Sequence, residues 1–85
     1  MVLYVKEEKI ANQIKMFHIV WLSIYIAKVV SVYCKVYKVN ELSNYNEIYK
    51  TCTDTIIYSE SERQQIYQMV NHIVVNKYNL KIKEE

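Results

Sequence analysis

Residues 9 to 39, KIANQIKMFHIVWLSIYIAKVVSVYCKVYKV, contain no glycine, no proline and no acidic side chain. Two periodicities compete for this stretch. Val20, Leu22, Ile24 and Ile26 alternate with Trp21, Ser23, Tyr25 and Ala27, and β-branched and aromatic residues favour strands. A strand of ordinary length would have to end in a turn, yet no Gly, Asn, Asp or Pro occurs between Gln13 and Val39 to make one. The helical template accommodates the whole segment. Ile10, Ile14, Phe17, Trp21, Tyr25, Val29, Val32 and Val36 follow one another by threes and fours and form one seam. The mean step is about 3.7 residues, so the helix is expected to run nearly straight.

A second seam, Ile19, Leu22, Ile26, Val30, Tyr33 and Tyr37, lies beside the first, so most of the circumference is apolar from Ile19 onward. That pattern belongs to an element covered from more than one side. Lys28, Ser31, Lys35 and Lys38 fill the remaining wedge, which is expected to face water or an acidic partner. A break near Ser23 or Ser31, giving a compact four-helix monomer, is the competing arrangement.

Eighty-five residues make a single domain, 1–85, whose modest core gives modest stability as a lone monomer. The absence of both Gly and Pro excludes a many-stranded sandwich or barrel, because such folds rely on them for turns. Abundant Lys, Asn, Ile and Tyr beside scarce Ala and Arg suggests an AT-rich genome, such as that of a virus, phage or other mobile element.

Along the chain, Val2 to Val5 reads as a short strand or a leading turn, and Lys6-Glu7-Glu8-Lys9 as a helix start with acids in the first turn. The long helix is expected to end near Val39, and NELSNYN, residues 40–46, is the clearest break. Ser43 or Asn44 is placed to cap a second helical element over about 45–58, Asn44 being matched by Glu47. Ser59-Glu60-Ser61-Glu62 spells a capping box for a helix over about 60–77, closed by Asn76 to Asn79. The tail LKIKEE either extends along another segment or frays.

The fold expected is therefore all-α: one long N-terminal helix packed with a helical hairpin. The first helix is basic and the segment 41–62 acidic, so the two are electrostatic complements. Length sets a further constraint. A helix of some thirty residues spans roughly 45 Å, whereas the two shorter ones span roughly 20 to 27 Å. If the hairpin covers the C-terminal half, then Ile10, Ile14, Phe17 and Trp21 stay bare and forgo roughly 6 to 12 kcal/mol of burial. With Tyr25, they form the expected protein interface, and a second copy packed antiparallel would complete the bundle as a homodimer.

No GxSxG, P-loop, HExxH or dinucleotide fingerprint occurs, so no enzyme is expected. His18 and His72 read as hydrogen-bonded or peripheral groups, and no catalytic, cofactor-binding or metal-ligating set is identified. Cys34 and Cys52 lack CxxC spacing and read as free thiols. MVLYVKEEK lacks the order of a secretory leader, so a cytoplasmic location is expected, in the host if the chain is viral. The reading is thus a small non-enzymatic protein-interaction or regulatory protein acting on another protein through apolar helix faces. Two alternatives stand beside it. Lys28, Lys35 and Lys38 share a face that could hold nucleic-acid phosphates. Met16 to Cys34 is long enough for a single membrane span, although Lys28 within it would cost about 2.5 to 3.5 kcal/mol at the bilayer centre.

Overall fold

The computed structural model describes residues 2–53 and 56–83, with side chains from residue 13 onward. The elements in order are α1 (Val2–Tyr37), β1 (Glu41–Leu42), α2 (Tyr45–Cys52), α3 (Glu60–Tyr78) and β2 (Lys81–Ile82). The protein is mostly helical, and the long N-terminal helix packs against the others. Neither serine breaks α1. The Ser23 hydroxyl donates to the Ile19 carbonyl at 2.7 Å and the Ser31 hydroxyl to the Lys28 carbonyl at 2.7 Å, so both polar groups are absorbed by the helix that carries them. The helix also begins earlier than expected. Val2 to Val5 form its first turn, and neither Gly nor Pro interrupts the helix between them and Gln13.

The second seam faces the core as far as Tyr33, while Tyr37 at its end is exposed. Ile19, Ile26, Val30 and Cys34 of α1 meet Ile66, Val70 and Val74 of α3, with Tyr45, Ile48 and Tyr49 of α2 closing the cluster. Ser23 and Ala27 are fully buried between these residues, and their small side chains let the neighbouring elements approach α1 closely.

In a chain without glycine, other residues must make the left-handed turns that end helices. Lys38 does so after α1, at φ 55°. Its N–H donates to the Lys35 carbonyl at 3.4 Å and that of Val39 to the Cys34 carbonyl at 3.0 Å, the paired bonds of a Schellman motif. Asn79 takes the same conformation after α3, at φ 56°, and Leu80 N–H reaches the Val74 carbonyl at 2.9 Å.

The capping box at α3 forms as spelled: Glu62 N–H donates to Ser59 Oγ at 3.2 Å, and Ser59 N–H to Glu62 Oε1 at 3.1 Å. Asn44 holds the N-cap position of α2, but its side chain does not cap. It donates instead to the Tyr33 hydroxyl and to Glu47 Oε2, both at 3.4 Å. The element expected over 45–58 is shorter, since α2 ends at Cys52 and residues 56–59 are neither helix nor strand; Asp54 and Thr55 fall outside the described residues. The β-branched run that follows Cys52 has little helical preference to carry α2 further.

The tail finds a partner. β2 pairs in parallel with β1, in the register Glu41 with Lys81 and Leu42 with Ile82. Lys81 N–H donates to the Asn40 carbonyl at 3.0 Å and Lys83 N–H to the Leu42 carbonyl at 2.8 Å. Leu42 and Ile82 both point into the core and seal one end of it.

Candidate interaction surface

At 100° per residue, the row Ile14, Phe17, Trp21, Tyr25, Val32 and Val36 lies opposite the buried row of α1. These six side chains are between 53 and 72% exposed, with Trp21 the barest. Val29, at one edge, is half-buried. The row thus runs the length of the described helix, past the N-terminal half in which the interface was expected. Val32 and Val36 belong to it although the sequence placed them only in the seam, and Ile10 lies within α1 with its side chain outside those described. Ile57 is a further large apolar group, 99% exposed on the loop before α3. In the sequence its signal is the pair Ile56-Ile57, which falls within the helical element expected over about 45–58.

The row has relief. Trp21 stands out from it, and further along Tyr25, Lys28, Val29 and Val32 line a groove of about 260 Å³. Its wall is almost wholly apolar, with the Lys28 stem on one side. Lys28 and Lys35 are exposed on the flank that also carries Phe17 and Trp21, and Lys38 is exposed at the turn beyond. The three lysines therefore border the apolar row and do not form a separate polar face.

The body holds the row in place at its N-terminal end. Lys15 Nζ lies 3.0 Å from Glu62 Oε2, and His18 Nδ1 lies 3.2 Å from the Tyr58 hydroxyl, so two side chains beside the row are tied to the start of α3. Hydrogen bonds from Lys15 first, and then from Ser59, hold the Glu62 carboxyl below the usual glutamate range. The expected attraction between basic α1 and the acidic segment 41–62 is realised in this pair.

A second concavity, of about 370 Å³, lies between α2 and α3, with Tyr45, Tyr49, Arg63 and Tyr67 in its wall. The Arg63 guanidinium sits 5.5 Å from the centre of the Tyr49 ring and 3.4 Å from Glu60. Burial pushes the Tyr45 hydroxyl well above the ordinary tyrosine value and raises that of Tyr49, where Arg63 acts in the opposite direction. This cavity offers no paired nucleophile and base. The His72 ring lies outside this cavity, its Nδ1 3.2 Å from Asn76 Nδ2. No group of three or more metal-ligating side chains occurs among the described residues. Cys34 and Cys52 are free thiols.

Comparison with known protein families, with curated proteins and with solved structures found no match to this chain.

Proposed function

We propose that the protein is a small, non-enzymatic interaction protein whose working surface is the outward row of α1, and that it forms a homodimer. One observation carries this reading. Six large apolar side chains form a contiguous exposed row on the helix whose opposite side is committed to the core. Rows of this size on soluble proteins mark contact surfaces.

The two alternatives fit less well. Gln13–Tyr37 is long and apolar enough to cross a membrane by length and composition. α3 packs alongside that segment, however, and exposes Arg63, Gln64, Gln65, Gln68, His72, Asn76 and Lys77. A bilayer around α1 would have to take in that polar surface too, at about 2.5 to 3.5 kcal/mol for each central Lys or Arg. Nucleic-acid binding through Lys28, Lys35 and Lys38 would press Trp21 and Phe17 toward phosphates, and the flank carries no Arg to read bases.

Sedimentation equilibrium of the wild type and of the double variant Phe17→Ser, Trp21→Ser tests the reading. The wild type is expected at twice the 10.3 kDa chain mass and the double variant at the chain mass with unchanged helix content. A wild type that remains at the chain mass, and binds mixed-sequence DNA with a steep salt dependence lost on changing the three lysines to Glu, would replace this reading with the nucleic-acid one.

A further inference from the structure

We infer that two copies pair through these rows antiparallel, about a two-fold axis beside Tyr25, with each Trp21 indole seated in the other's groove between Tyr25, Lys28, Val29 and Val32. This rests on the interaction reading above and specifies its partner and register.

The first argument is reciprocity. A two-fold axis makes every contact occur twice with the roles exchanged. If Trp21 of one copy stands over position 29 of the other, then Tyr25 meets Tyr25, Ile14 meets Val36, and the two rows end together. A parallel pair sets Trp21 against Trp21 and leaves both grooves empty. Pairing through the N-terminal half alone leaves Val32 and Val36 bare in both copies.

Area gives the second argument. Phe17, Trp21 and Tyr25 are each more than half exposed, and aromatic side chains bury about 150 to 250 Å² each. With Ile14, Val32 and Val36, and with each side chain giving up the exposed part of its area, the row can bury about 700 Å² per copy. The total, about 1,400 Å², falls within the range of stable specific interfaces.

Charge is the third. Lys28 and Trp21 occupy the same flank, and a two-fold axis perpendicular to the plane of the two helices brings like flank against like flank. Each Lys28 is then carried to the partner's Trp21, where an ammonium over an indole face is attractive. The two Lys28 stand on opposite sides of the axis, about 9 Å apart along the seam, and Lys15, on the far flank, is already matched by Glu62.

Cysteine cross-linking in the full-length chain tests the register, with the wild type as the control for Cys34 and Cys52. Under mild oxidation Tyr25→Cys is expected to give a disulfide-linked dimer. Ile14→Cys and Val36→Cys are each expected to remain uncrosslinked alone and to cross-link when mixed. Trp21→Ala is expected to weaken dimerisation at least tenfold with helix content unchanged, and wild-type Trp21 emission to shift to the blue as concentration rises. A dimer in which Ile14→Cys and Val36→Cys each link to themselves overturns the antiparallel register while leaving self-association intact. A chain that stays monomeric at every concentration overturns the pairing itself. A blue shift that appears only with phosphatidylcholine vesicles, and never with concentration, assigns the row to a lipid surface and overturns the second copy as its occupant.

Discussion

Lys15 and Glu62 form a 3.0 Å ion pair that links α1 to the first turn of α3, and the same glutamate closes the capping box with Ser59. One carboxylate therefore starts a helix and fixes that helix to its neighbour. Because its folded value lies below the unfolded one, the contribution to stability is present above about pH 4.3 and is lost as the pH falls through the folded value. Glu62→Gln keeps an acceptor for Ser59 N–H and removes the titration. Urea midpoints should therefore differ between wild type and variant at pH 7 and converge at pH 3. Equal separation at both pH values would exclude Glu62 as the titrating group.

Lys38 occupies the left-handed region that a glycine would take without steric cost. Lys38→Gly is expected to raise stability by roughly 0.5 to 1 kcal/mol, because relief of the backbone outweighs the extra freedom of the unfolded chain. Thermal unfolding measures it. A lowered midpoint would show that the lysine side chain contributes more than its backbone costs.

Ile82 is a core residue in a strand of only two residues. Ile82→Ala should cost about 2 to 5 kcal/mol, as for other buried isoleucines, and so should Ile66→Ala in the middle of α3. Chemical denaturation compares the two directly. If Ile82→Ala were nearly neutral while Ile66→Ala was not, the strand pair would be an ornament on a core that stands without it.

The two thiols differ in access. Cys34 is buried and Cys52 half-buried, and burial raises both thiols above the ordinary value, so little of either is thiolate at neutral pH. Brief treatment with iodoacetamide followed by mass spectrometry should find Cys52 modified first, with Cys34 modified only on unfolding. Faster labelling of Cys34 would mean that α3 leaves α1 readily.

Both seams of the long helix were legible from spacing alone, as was the excess of its length over the rest of the chain. Which seam turns inward was not, because each is apolar throughout. The core took the side with Ser23 and Ala27, where a neighbouring helix can come close, and the bulkier Phe17 and Trp21 were left outside. The α3 cap was readable because Ser59 and Glu62 need only each other. Asn44 takes the N-cap position that the spacing indicates, but its side chain is drawn to Tyr33, eleven residues earlier and adjacent only in the fold. The β1–β2 pair had no adequate sequence signal, since two residues are too few to show alternation. The apolar row reached beyond Tyr25 because exposure depends on where α3 lies, and helical spacing does not report that.

The parallel pairing of Leu42 with Ile82 has a consequence for synthesis. On the ribosome α1 is made before α2 and α3, and its inward row is not fully covered until α3 and the strand after it have followed. For that interval the nascent helix is greasy on both sides, so a chaperone or another nascent copy meets a surface that the finished molecule has already half withdrawn.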